Sequence, residues 1–182
     1  MRVIAGTARS LRLKTPEGSE TRPTTDRIKE TLFNMLQPYL LDAVFVDLFA
    51  GSGGIGIEAL SRGARHAYFV ENEKKALACI RDNLQFTHLA DQATILQTDA
   101  VSALYSIHEK EADIIFMDPP YDCAHEERVL EALTNLPFVT KNSLIVIETS
   151  LKTDLTYLDE LDFSLEKEKI YKTNRHIFCR KK

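Results

Sequence analysis

A chain of 182 residues with 44% hydrophobic content can bury a sizeable core and is expected to form one domain over 1–182, with residues 1–40 an extension of a core at 41–182. No run approaches the ~20 apolar residues of a membrane helix, and the polar, basic opening after Met1-Arg2-Val3-Ile4-Ala5-Gly6 is unlike a secretory signal. The net charge of −4 hides a polarity: residues 1–14 carry Arg2, Arg9, Arg12 and Lys14 with no acid, residues 166–182 carry seven bases against Glu166 and Glu168, and the remainder holds −13. Basic ends on an acidic body suit a localised phosphate-binding surface, or merely solubilise the ends. Cys79, Cys123 and Cys179 are odd in number and far apart, which argues for free thiols in a reducing cytoplasm and against a zinc site.

In chain order, Val3-Ile4 and Leu11-Arg12-Leu13 are expected to pair as a small hairpin, and Pro16-Glu17-Gly18-Ser19 to form a loop. Thr24 or Thr25 then offers an N-cap to a helix that buries Ile28, Leu32, Met35 and Leu36 and stops before Pro38. From residue 43 short apolar runs alternate with amphipathic ones. Strands are expected at 43–49, 66–70, 93–96, 113–117 and 143–147, and helices at 55–61, 74–86, 100–107 and 126–135. A short helix near 155–160 and two strands at 163–171 and 176–180, joined by a turn at Lys172-Thr173-Asn174, complete the chain. The rhythm predicts a doubly wound α/β fold: a mostly parallel Rossmann-like sheet closed by an antiparallel C-terminal strand, the shape of the class I methyltransferases.

Asp47-Leu48-Phe49-Ala50-Gly51-Ser52-Gly53-Gly54-Ile55-Gly56 follows the first strand and enters a helix, and Gly51, Gly53 and Gly56 satisfy the dinucleotide fingerprint GxGxxG. Glu71, ending the second strand, is placed to hold ribose hydroxyls. The glycines alone leave a nicotinamide or flavin cofactor and S-adenosyl-L-methionine equally open. Asp47 would repel a pyrophosphate but hold an ammonium, and Asp99, after the third strand, suits an adenine amino group. Three strand-end acids therefore favour S-adenosyl-L-methionine.

Asp118-Pro119-Pro120-Tyr121 closes the apolar fourth strand. Prolines make that turn stiff and leave its carbonyls free to accept. Asp118 and the Pro119 carbonyl can hold an exocyclic amine while Tyr121 stacks on the ring that carries it. A base inside a helix would have to be flipped out to reach the turn, or be offered in an unpaired loop.

Arg22-Pro23-Thr24-Thr25-Asp26-Arg27 with Lys29-Glu30, the segment from Asp47 to Ala64, and Met117 to Tyr121 together resemble the RsmD family over nearly the whole chain. The glycine loop and the DPPY turn are widely shared among amino-methyltransferases; RPTTDR is the discriminating piece. The resemblance implies a cytoplasmic bacterial enzyme that transfers methyl from S-adenosyl-L-methionine to the exocyclic N2 of a guanine (guanine 966) in 16S ribosomal RNA. Its partner would be that RNA, the small subunit or an assembly intermediate, with no membrane and no metal, and nothing demands more than a monomer. It also implies a cofactor site of Asp47, Phe49, Ala50, Gly51, Gly53, Glu71, Asn72, Asp99 and Ala100, with Asp118, Pro119, Pro120 and Tyr121 as the catalytic turn. Arg22, Thr25 and Arg27 would shape the cofactor or RNA side of the cleft, although capping can be the whole role of Thr25. Arg9 and Arg12, with Lys14, are candidates for phosphate contact. An adenine-N6 methyltransferase acting on DNA or RNA, an NAD-dependent oxidoreductase and a non-enzymatic RNA-binding module are the competing readings.

Overall fold

The computed structural model describes residues 1–16, 26–120 and 125–182. Arg22, Thr25 and Tyr121 lie outside the described residues, as do the expected loop at 17–19 and the threonine caps. Among the described residues a seven-stranded sheet has the order β3-β2-β1-β4-β5-β7-β6. Its strands are β1 (Val44–Asp47), β2 (His66–Val70), β3 (Ala93–Leu96), β4 (Ile114–Met117), β5 (Leu144–Ser150), β6 (Phe163–Ile170) and β7 (Asn174–Lys181). β1 to β5 pair in parallel, whereas β7 is antiparallel to both β5 and β6. This is the expected doubly wound sheet with an antiparallel close.

The helices are α1 (Asp26–Leu40), α2 (Gly54–Ser61), α3 (Lys74–Phe86), α4 (Ala100–Leu104), α5 (His125–Thr134) and α6 (Tyr157–Glu160). Every residue of β4 is buried, because a central parallel strand is covered on both faces. Alternate residues feed two cores: Phe45, Phe116 and Val146 join the layer of α1, α2 and α3, while Val46, Ile115 and Ile145 join that of α4 and α5.

Several boundaries differ from those expected. α1 does not stop before Pro38 but runs through it to Leu40. The proline's fixed φ is helical and removes only one bond near the helix end, and Leu40 gains complete burial by the extra half-turn. The buried face of α1 is Lys29, Leu32, Phe33, Leu36 and Leu40, with Ile28 and Met35 only half-buried. Lys29 takes the inner position because Glu58 of α2 is there to meet it at 3.1 Å. β1 ends at Asp47 rather than at 49, since Leu48 and Phe49 already turn toward the glycines. α4 ends at Leu104 rather than at 107; its final turns tighten through Ser106 N–H to Ala103 O and Ile107 N–H to Leu104 O. β5 runs on to Ser150, beyond the expected 147.

The N-terminal hairpin is reduced to one antiparallel bridge, Arg2 with Arg12, flanked by Val3 N–H to Leu11 O at 3.0 Å. It is fastened to the core by Glu58, whose carboxylate accepts from Ile4 and Ala5 N–H at 2.8 and 3.0 Å and pairs with Arg62 and Lys29. The Lys29 ammonium also donates to the carbonyl of Arg2. Burial is the main reason its pKa is lowered, with Glu58 opposing that shift.

Candidate active site

The carboxyl ends of the parallel strands form one rim. Asp47 is level with Phe69 on β2 and Phe116 on β4, so Glu71 and Asp118 each stand just beyond the same line. β1 and β4 are the neighbours at which the strand order reverses, the place where doubly wound sheets open a crevice.

The glycine loop is stretched between its neighbours. Leu48 N–H donates to Phe116 O of β4 at 3.0 Å and Ala50 N–H to Val70 O of β2 at 2.9 Å. Gly53 has φ +82°, a left-handed turn that lets the chain enter α2 and suits glycine. Gly56 serves packing instead: a Cβ there would lie 2.4 Å from the Phe69 ring.

Two acids hold the loop's amides. Gly51 N–H donates to Glu71 at 2.9 Å, and Gly56 N–H donates to Asp47 Oδ2 at 3.2 Å. A pyrophosphate binds such loops through free N–H groups at a helix start, and here it would meet carboxylates. That argues physically against a dinucleotide and for a ligand with a positive end.

Asp47 is only 1% exposed, and its Oδ1 is buried without a hydrogen bond of normal geometry among the described residues. Burial pushes its pKa up to about 7, against the opposing pull of the Gly56 and Phe49 N–H groups. An orphaned, desolvated carboxylate oxygen fits an ammonium, which supplies both the charge and the hydrogen bond it lacks.

Glu71 accepts from Asn72 and Glu73 N–H through one oxygen and from Gly51 through the other, which keeps a lone pair for a hydroxyl. Asp99 caps α4, accepting from Ser102 N–H at 3.0 Å. The Ser102 side chain first, and then this N–H, hold its carboxyl below the usual range, so it stays an acceptor near neutral pH. A cleft of about 300 Å³ lies over these ends, lined among others by Phe49, Glu71, Asn72, Asp99, Ala100 and Pro120. Six of the expected site residues therefore share one cavity. Asp47, Ala50, Gly51, Gly53, Asp118 and Pro119 are their chain neighbours at the rim rather than part of its lining.

The cleft also contains Val101 from α4 with Arg128 and Val129 from α5, which the sequence reading did not single out. Val129 is on the buried face of α5, and Arg128, one step away, brings an exposed cation to the cleft. Asp118 is partly exposed, yet its pKa is held well above the ordinary carboxylate value. Burial is the first cause, followed by the nearby acids Glu148, Asp47 and Glu126.

The basic ends fare differently from one another. Arg175, Arg180 and Lys182 pair with Glu168, Glu166 and Asp159, so much of the C-terminal charge is neutralised within the protein. At the N-terminus Arg2 pairs with Asp26 and Lys14 with Asp82, each at 2.7 Å. Arg9, Arg12 and Arg27 are exposed and form no ion pair among the described residues.

A family model described as "Conserved hypothetical protein 95" matches residues 1–180. The chain is 40% identical over 157 residues to the Bacillus subtilis protein YlbH, covering 85% of each chain. It is 35% identical over 170 residues to Ribosomal RNA small subunit methyltransferase D of Escherichia coli strain K12, covering 93% of this chain and 84% of that one. The solved structure of the Escherichia coli protein yhhF superposes with a TM-score of 0.86 at 33% identity, covering 100% of this chain and 98% of that one. This chain belongs to the matched family, the RsmD family whose motifs its sequence carries.

Proposed function

We propose that this protein is an S-adenosylmethionine-dependent ribosomal RNA methyltransferase, and that it modifies the exocyclic N2 of a guanine in small-subunit RNA. The observation that carries the cofactor reading is Asp47, buried with an unsatisfied oxygen beside a glycine loop whose Gly51 and Gly56 amides are already taken by carboxylates. Support for the RNA comes from the relatives named for small-subunit ribosomal RNA and from the exposed Arg9 and Arg12, which form no ion pair among the described residues. The guanine-N2 specificity rests on the resemblance of the RPTTDR segment and the DPPY turn to the RsmD family.

The cofactor supplies, when bound, a methyl group made electrophilic by a sulfonium. Asp47 would hold its ammonium and Glu71 its ribose hydroxyls. Asp99 would accept from the adenine amino group, with Phe49 and Val101 against the ring. Asp118 and the Pro119 carbonyl accept the hydrogens of the target amine, whose lone pair is otherwise spread into the purine. Accepting both hydrogens localises that pair and fixes its direction, so alignment and charge supply the rate without a covalent enzyme intermediate. Tyr121 is assigned the stacking role. Arg9 and Arg12 would contact phosphates, and Arg22, Thr25 and Arg27 are assigned to the cofactor or RNA side of the cleft.

Incubation with labelled cofactor and unmodified small-subunit RNA or particles, followed by nucleoside mass spectrometry, is expected to yield N2-methylguanosine. N6-methyladenosine as the product would overturn the assignment of the base, and NAD binding in place of S-adenosylmethionine would overturn the cofactor.

A further inference from the structure

Asp118 has a second carboxylate beside it. β4 and β5 are parallel, with Met117 opposite Ile147, so one step further along both strands Asp118 stands next to Glu148. Glu148 is in turn directly opposite His176 on β7. Phe116, Val146 and Phe178 belong to one core and Met117, Ile147 and Ile177 to the other. Alternation therefore sends Asp118, Glu148 and His176 to the same face. The His176 ring packs edge-on against Phe116 on that face, with centroids 6.3 Å apart.

Glu148 is 5% exposed and is held on both oxygens: it accepts from the Asn174 side-chain amide, and its Oε2 lies 2.9 Å from His176 Nε2. His176 is wholly buried, and its Nδ1 lies 3.2 Å from the hydroxyl of the half-buried Tyr171. No binding role described so far uses Glu148, His176 or Tyr171.

We propose that Glu148 is a positioning residue of the methyl-transfer site, held beside Asp118 by Asn174 and the His176–Tyr171 chain so that Asp118 gives up its proton only when a cationic ligand is bound. This rests on the reading of Asp118 as the acceptor of the amine's hydrogens. In the transfer the nitrogen lone pair forms the N–C bond and the C–S pair returns to sulfur. One N–H pair stays on nitrogen, and its proton goes to the Asp118 carboxylate. Asp118 must therefore be ionised when the amine is in place. A carboxyl crowded by other acids in a desolvated row does not readily ionise, so Asp118 keeps its proton until a positive charge arrives. The groups facing Asp118 and Glu148 are Asp47 from β1, Glu126 from α5 and His176 from β7. Burial, Glu148, Asp47 and Glu126 all favour the protonated form of Asp118 in the free protein. A cationic ligand at Asp47 would expel that proton and leave Asp118 ready to accept.

Calorimetric titration of S-adenosylmethionine into the whole protein at pH 7, in two buffers of different ionisation enthalpy, reads the protons released per site. Wild type is expected to release more than Glu148→Gln or Asp118→Asn, by roughly half a proton or more in each case. In Glu148→Gln the acidic limb of the kcat profile also moves to lower pH, because the charge that raised Asp118 is gone, while KM for S-adenosylmethionine stays within about twofold. Should Glu148→Gln fail to fold, Asp118→Asn carries the proton measurement alone. Equal proton release by the folded variants and wild type would overturn the proposal. A protein giving no binding signal at all would instead remove the cofactor reading beneath it.

Discussion

Asp47 and Glu58 are both fully buried acids on the same side of the sheet, and their surroundings differ in kind. Glu58 meets two backbone N–H groups, Lys29 and Arg62, and so closes the N-terminal arm onto α2. Asp47 has the Gly56 N–H at 3.2 Å, the pull of the Phe49 N–H, and one oxygen without a hydrogen bond of normal geometry among the described residues. A buried charge that its own chain satisfies is structural; one left short of a partner keeps capacity for a ligand. The rim at β1 and β4 repeats the pattern, with Asp118 crowded by Glu148, Asp47 and Glu126.

Alanine at Asp118 tests the unsatisfied side most severely. It is expected to lower methyl transfer by roughly 10²–10³-fold or more while cofactor binding survives, as read by single-turnover labelling and calorimetry. Retained activity would sink the proposed role. On the satisfied side, Glu58→Ala strands Lys29 in the core and frees two arm amides. A loss of about 3–5 kcal/mol in urea unfolding is expected, and a change below about 1 kcal/mol would show that the arm does not depend on the clamp.

Asp47→Asn separates the two behaviours in one residue. Its folded pKa lies near 7, above the unfolded value, so Asp47 favours folding at low pH and loses that contribution as pH rises through about 7. The asparagine should therefore stabilise the free protein at pH 8, on the order of 4 kcal/mol, yet weaken S-adenosylmethionine binding. In the wild type that binding should tighten as pH rises through the same window. Loss of both stability and affinity at pH 8 would contradict the contrast drawn here. The smallest effect is expected from Arg9→Ala with Arg12→Ala, which should weaken RNA binding and flatten its salt dependence by about one to two units of slope at unchanged cofactor affinity.

The rim was legible because each of its acids closes or follows an apolar run: Asp47 at the end of β1, Glu71 after β2 and Asp118 after β4. β2, α3 and β3 match their expected spans for a similar reason, their periodicity being bounded by turns. Lys29 and Glu148 were hidden for the opposite reason. A charge within or just beyond an apolar pattern reads as surface, and only the partner brought by the fold reverses that reading: Glu58 for Lys29, and His176 from a strand 28 positions on for Glu148. Pro38 misled similarly, since the reward for passing it lies in where Leu40 lands.

The two bonds by which Leu48 and Ala50 tie the glycine turn to β4 and β2 have a kinetic consequence. A loop already lashed to both flanking strands has little disorder to surrender when a ligand arrives. Capture should then be limited by encounter rather than by loop folding, and the amide hydrogens of Leu48 and Ala50 should exchange as slowly in the free protein as those of the sheet itself.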